Sequence, residues 1–276
     1  MDYVNGMKSH AGDTVELSSR TYGSGDPVLF LPPAATRADV WLTHQVPAVV
    51  ASGYQAVVAD HRGTSPSPVP PGPYRIADLA ADTAALIARL GLGPCHVIGA
   101  SLGAMVAQEL ASGYPELVRS VALLGTRART DVFRAMMTRA AVLRVLSPGE
   151  ITDADVVAQL SQMFGPGTLA DDREVADWAV LMRRFPVRGV GPAAQYQATL
   201  AADLTPGLDR IACPGLVVAF GADAVTPPAG GREVAGAIPG CRYVEIPGAG
   251  HLGFLEQPDV VNSALASFLA AAAQAT

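Results

Sequence analysis

Cys95-His96-Val97-Ile98-Gly99-Ala100-Ser101-Leu102-Gly103-Ala104-Met105-Val106-Ala107-Gln108-Glu109-Leu110 changes character twice. Its first residues form an apolar run that predicts a strand buried on both faces. Met105 to Leu110 predicts a helix, and Gly99-Ala100-Ser101-Leu102-Gly103 lies between them as G-x-S-x-G. In this strand-turn-helix context the glycines make room for a sharp turn that lifts the serine hydroxyl above the sheet. The helix N-terminus beneath it favours developing negative charge. The bland alternative is a glycine-rich turn with an incidental serine.

Outward from this turn, Pro27 to Leu31, Gln55 to Ala59, Ser120 to Leu124, Gly215 to Phe220 and Arg242 to Ile246 are further apolar runs that predict strands. Helical stretches alternate with them, among them Ile76 to Leu90 and Leu102 to Ser112. Alternating strands and helices imply parallel strands joined by helical crossovers. The expected fold class is therefore α/β, a mostly parallel open sheet flanked by helices. The alternation breaks from Thr126 to Asp209, where Asp131 to Leu146, Asp153 to Phe164, Asp171 to Phe185 and Pro192 to Ala202 all predict helices. Ser147-Pro148-Gly149, Gly165-Pro166-Gly167 and Pro186 punctuate them. An all-helical insertion after one strand follows, with residues 126–209 inserted into a core made of residues 1–125 and 210–276.

The chain has 276 residues, is 50% hydrophobic and 16% charged, and carries a formal net charge of −6. Such a composition excludes disorder. An acidic balance lacks the basic footprint that a phosphate backbone requires, so no nucleic-acid partner is expected. The opening Met1-Asp2-Tyr3-Val4-Asn5-Gly6 has no apolar core of signal-peptide length, and the longest uncharged stretches are broken by glycine and proline. A cytoplasmic chain without membrane partners is the expectation. Cys95, Cys213 and Cys241 fit neither a disulfide framework nor a zinc set and read as small buried hydrophobes.

A serine hydroxyl is a poor nucleophile unless a base takes its proton. His251, in Gly248-Ala249-Gly250-His251 just after the last predicted strand, is the best placed of five histidines; His10 and His44 lie away from the strand ends and His96 begins a strand. The base needs a carboxylate to fix its tautomer. Asp223, in Phe220-Gly221-Ala222-Asp223, directly follows a strand. A loop histidine without chemistry and a solvated turn aspartate are the respective alternatives.

The order Ser101, Asp223, His251 resembles the α/β-hydrolase superfamily, and the resemblance runs from about residue 15 to residue 270. Asp60-His61-Arg62-Gly63-Thr64-Ser65 is similar to the family's D-x-R-G-x-G-x-S loop, with Ser65 where glycine is usual. Gly250 to Pro258 matches its histidine loop, and Trp41 stands in its familiar place. Gly99 to Ala107 is similar to enol-lactone hydrolases and cofactor-free haloperoxidase-like serine esterases. The resemblance assigns the oxyanion-hole donors to the N–H groups of Leu102 and Ala34. Where the family usually has His-Gly after the strand, this chain has Pro32-Pro33; proline stiffens the loop and lacks an N–H.

The insertion resembles the family's cap. Met136, Met137, Phe164, Trp178, Met182, Phe185 and Tyr196 are candidates for a pocket wall or for helix-packing core, and Met136, Met137, Trp178 and Tyr196, with Phe254 of the histidine loop, are the expected substrate-binding set. Arg127, Arg129, Arg134, Arg139 and Arg144 form a basic stripe. It suits a solvated face, or a dock for an acidic carrier protein or a substrate carboxylate. The resemblance implies hydrolysis of an ester, lactone or thioester of a small, largely apolar acid, with no metal or cofactor. Lyase, cyclase or perhydrolase-like chemistry in the same pocket is a second reading, motivated by the proline pair, and a small-molecule receptor is a third.

Overall fold

The computed structural model describes residues 13–274. The readings made of Met1 to Gly6 and of His10 lie outside the described residues. Among those described, seven strands form one sheet: β1 (Ser19–Tyr22), β2 (Pro27–Leu31), β3 (Gln55–Ala59), β4 (Cys95–Ala100), β5 (Val118–Leu124), β6 (Gly215–Phe220) and β7 (Arg242–Ile246). The helices, in chain order, are α1 (Gln45–Ala51), α2 (Ile76–Leu90), α3 (Leu102–Gly113), α4 (Val132–Leu146), α5 (Asp153–Met163), α6 (Pro166–Leu169), α7 (Asp172–Arg184), α8 (Val190–Ala201), α9 (Pro228–Ala237), α10 (Gly253–Glu256) and α11 (Pro258–Gln274). No helix of the described residues is long and apolar enough to cross a membrane.

The strand order is β1-β3-β2-β4-β5-β6-β7. All neighbours are parallel except β1, which runs antiparallel to β3 at one edge, with Ser19 opposite Ala59 and Tyr22 opposite Ala56. Alternate side chains of each central strand feed two separate cores, as the strand period of two requires. Leu29 and Leu31 of β2 join Leu79, Leu86, Leu102 and Leu110 of α2 and α3 on one face. Val28 and Phe30 join Val46, Val49, Leu265 and Phe268 of α1 and α11 on the other. This burial on both faces is why β2, β4 and β6 read as unbroken apolar runs. Cys95 lies in the first core, where burial pushes its thiol up to about 12.

β1 was not legible as a strand. Its residues Ser19-Arg20-Thr21-Tyr22 are half-buried or exposed and carry no apolar run, and an edge strand needs none.

The insertion consists of α4 to α8, between β5 and β6. Its two ends meet at an antiparallel bridge between Arg129 and Asp203, beside the Leu204 N–H to Ala128 C=O bond of 2.9 Å. Polar caps start three of its five helices, α4, α5 and α7. Asp131 accepts the Arg134 N–H at 2.8 Å, Thr152 and Asp155 bond reciprocally, and Asp171 accepts the N–H groups of Arg173 and Glu174. One short element, Pro166–Leu169, was not expected as a helix; it begins with proline at the first turn, where the missing N–H costs nothing.

Candidate active site

Every part of the site sits at the carboxyl end of the parallel strands. Ser101 joins β4 to α3 at φ 53° and ψ −114°, a left-handed conformation that a side chain rarely takes. The surroundings enforce it. A Cβ on Gly99 would stand 2.2 Å from the Gly103 carbonyl oxygen, and one on Gly103 would stand 2.1 Å from that of Leu31. Both ends of the G-x-S-x-G stretch must therefore be glycine for the turn to close. The Ser101 N–H donates to the Leu124 C=O at 3.0 Å, anchoring the turn to β5.

Ser101 Oγ lies 2.9 Å from His251 Nε2, and His251 Nδ1 lies 2.8 Å from Asp223 Oδ2. A carboxylate can only accept here, so Nδ1 carries the proton and Nε2 offers its lone pair to the serine hydroxyl. Asp223 is almost fully buried. Burial alone would push its carboxyl up. Electrostatic attraction from the His251 ring and hydrogen bonds from His251 and Thr226 outweigh burial and hold it below the usual carboxylate range. The N–H groups of Val225 and Thr226 reach Oδ1 at 2.7 and 2.8 Å, and the Thr226 hydroxyl reaches Oδ2 at 2.6 Å.

The N–H groups of Ala34 and Leu102 have no acceptor among the described residues. Ala34 lines the same cavity as Ser101, and the loop carrying it is held from two sides. His61 Nε2 lies 3.2 Å from the Pro32 C=O; burial lowers the His61 pKa to about 4, so the ring is neutral and donates. Gln195 Oε1 accepts the N–H of Ala35, itself at φ 58°, at 2.6 Å. The Gln195 amide also donates to the Arg62 C=O at 2.7 Å and to Thr64 Oγ1 at 2.9 Å. Arg62 is fixed in turn by Asp82, in a buried pair at 2.5 and 2.6 Å. The Asp60–Ser65 loop is thus a brace between sheet, insertion and the Ala34 loop.

A second brace holds the histidine loop. One Glu256 oxygen accepts the Gly250 N–H at 2.6 Å; the other accepts the Gly165 N–H at 2.8 Å and the Thr168 hydroxyl at 2.6 Å. The Leu252 N–H adds a bond to the Met163 C=O at 2.9 Å. Gln195 and Glu256 were both missed in the sequence, because most of their partners are backbone or hydroxyl groups far away along the chain.

A cavity of about 340 Å³ lies between sheet and insertion, and Ser101, His251, Met137, Trp178 and Tyr196 are among its walls. Phe164, Met182 and Phe185 line it as well. Two expected substrate-binding residues are corrected. Met136 is 58% exposed on the outer side of α4, since one residue's rotation from Met137 carries it away from the cavity. Phe254 is fully buried beneath the histidine, against Trp41 at a ring separation of 4.7 Å. The basic stripe is also divided. Arg127, Arg134 and Arg144 line the cavity, whereas Arg129 pairs with Glu233 and Arg139 is exposed. Among the described residues no cluster of three or more His, Cys, Asp or Glu side chains forms a metal site.

Comparison with known proteins agrees with this architecture. BpoC of Mycobacterium tuberculosis H37Rv, whose name places it provisionally among non-heme bromoperoxidases, is 39% identical over 258 residues, covering 93% of this chain and 98% of its own. Its crystal structure superposes with a TM-score of 0.89, at 38% identity over 96% of this chain and 99% of that one. The 3-oxoadipate enol-lactonase 2 of Acinetobacter baylyi is 30% identical over 91% of this chain and 92% of its own. A thermophilic esterase from Thermogutta terrifontis has a TM-score of 0.82 at 29% identity, over 94% of both chains. Residues 26–258 match the family described as the alpha/beta hydrolase fold, and to that family the chain belongs.

Proposed function

We propose that the protein is a serine hydrolase that cleaves an ester, lactone or thioester of a small, largely apolar acid. The observation that carries this reading is the unbroken line from Ser101 Oγ through His251 to Asp223, at 2.9 and 2.8 Å. In this mechanism His251 takes the serine proton as Ser101 Oγ attacks the acyl carbon, and Asp223 stabilises the imidazolium that forms. The free N–H groups of Ala34 and Leu102 receive the oxyanion. His251 then protonates the leaving group. A water deprotonated by the same nitrogen cleaves the acyl-enzyme, returning Ser101 and releasing the acid.

Residues 126–209 act as a cap over a core of residues 1–125 and 210–276. Its apolar walls exclude bulk water and receive the acyl group, with Met137, Trp178 and Tyr196 as substrate contacts. Because Ala35 is bonded to Gln195 of the cap, the proline pair at Pro32-Pro33 is compatible with a fixed donor at Ala34. No cofactor enters the scheme, and its partner is a small-molecule substrate.

The name of BpoC favours one other reading, perhydrolysis, in which hydrogen peroxide replaces water in attacking the same acyl-enzyme and releases a peracid. Steady-state hydrolysis of 4-nitrophenyl butyrate tests the first reading. Wild type should turn over and Ser101→Ala should lose about 10⁴-fold or more in kcat while melting at an unchanged temperature. Full activity in the variant would refute the assignment.

A further inference from the structure

Two arginines of the described chain are more than nine-tenths buried, and their electrostatic situations differ. Arg62 is neutralised by Asp82 through two short bonds. Arg127 is 7% exposed and has no carboxylate within ion-pair distance among the described residues, although its neighbours Arg129 and Arg134 reach Glu233 and Asp131. Its Nη1 donates to the Val225 C=O at 2.8 Å, its Nε is sealed from solvent without an acceptor, and its Nη2 has no hydrogen-bond partner among the described residues. Asp131 and Asp223 attract it from a distance, but each is committed elsewhere, Asp131 to Arg134 and Asp223 to His251. A buried guanidinium without a contact partner is costly and is normally paired.

The cavity supplies no partner of its own. Its wall contains Arg127, Arg134 and Arg144 but no aspartate, glutamate or lysine among the described residues. Arg127 is also firmly placed. Gln108 donates to its backbone C=O at 3.2 Å and to the adjacent Thr126 hydroxyl at 2.7 Å, and a Cβ on Gly230 would touch its side chain at 3.2 Å. Val225, which it grips, lies between Asp223 and Thr226, so the guanidinium borders the catalytic end of the cavity.

We infer that the substrate carries a second, anionic group, a carboxylate on the acyl portion, and that Arg127 is the residue that receives it. This deepens the hydrolase reading and rests on it for the word substrate, but the anion site itself does not depend on turnover. An acid-bearing acyl chain would lie along the apolar wall with its reacting carbonyl at Ser101 and its carboxylate on the unpartnered face of Arg127.

Calorimetric binding to Ser101→Ala protein tests this without catalysis. The ligands are the monomethyl esters of succinic, glutaric and adipic acid, methyl butyrate, and the terminal amide of monomethyl glutarate. At least one anionic ester should bind about ten- to a hundredfold more tightly than methyl butyrate, as hydrogen bonds to a charged group do. The amide, similar in size and uncharged, should lose that advantage. Arg127→Met in the same background should cancel it, and Arg127→Lys should retain part. Equal binding of anionic and neutral esters would overturn the inference, as would an advantage that persists in Arg127→Met. If Arg127→Met does not fold, the amide comparison still tests the anionic group, and Arg127→Lys, set beside Arg134→Met and Arg144→Met, assigns it: an advantage undiminished in Arg127→Lys but lost in either of the other two would overturn the inference. Failure of the hydrolase reading would be seen separately, as an unreactive Ser101 in wild-type protein.

Discussion

Gln195 and Ala35, 160 positions apart in sequence, are joined by a hydrogen bond of 2.6 Å. One side chain of the helical insertion thereby fixes the peptide next to the proposed oxyanion donor. The roof of the cavity and the floor of the site are one mechanical unit.

Replacing Gln195 by Leu leaves the Ala35 N–H, the Arg62 C=O and the Thr64 hydroxyl without partners. Each stranded group costs about 1–3 kcal/mol. Urea denaturation should show a loss of several kcal/mol. In the protein that remains folded, kcat should fall about tenfold or more, because a displaced donor is felt mainly in the transition state. A change confined to KM would show that the bond does not position the oxyanion loop.

Asp223→Asn keeps the shape of the acid but presents an amide to His251 Nδ1. The imidazole would then favour the tautomer with its proton facing Ser101, which cannot accept the serine proton. A kcat reduced about 10⁴-fold with little change in melting temperature is expected from steady-state kinetics and thermal denaturation.

Glu256→Ala removes acceptors for Gly250, Gly165 and Thr168 together. The histidine loop should loosen before the sheet does. Hydrogen exchange at Gly250 to Leu252 should speed up while exchange in β4 and β5 stays slow; protection unchanged in the loop would contradict the brace.

Two buried histidines set the acid side of stability. Burial lowers the pKa of His61 and of His96 to about 4. In the unfolded chain both take up protons near pH 6.5, so the unfolded state binds more protons between about pH 6.5 and 4. Stability therefore falls as pH drops through that window and levels off below it, by up to about 3 kcal/mol for each ring. Denaturant midpoints measured from pH 7 to pH 4 should show this slope, and His61→Gln should reduce it.

How much of this was legible depended on whether a residue acts locally. Val28 to Leu31 and Leu216 to Phe220 face apolar neighbours on both sides, so composition alone marks them as central strands. The Ser101 turn was legible because its steric demands fall on Gly99 and Gly103, two positions either side. Met136 was misplaced because α4 also exposes Val132, Phe133 and Leu143, which leaves no apolar stripe to identify its inner face. Phe254 was misplaced because adjacency to His251 in sequence does not reveal that α10 turns its ring down onto Trp41. Arg127 looked like one member of a surface stripe; only the fold separates it, buried, from paired Arg129.

Whether Ser101 is activated can be read from intact-protein mass after exposure to a fluorophosphonate. Wild-type protein should gain one adduct, and Ser101→Ala should gain none. Folded wild-type protein that stays unmodified, or an adduct that persists in Ser101→Ala, would mean that Ser101 is not the activated nucleophile.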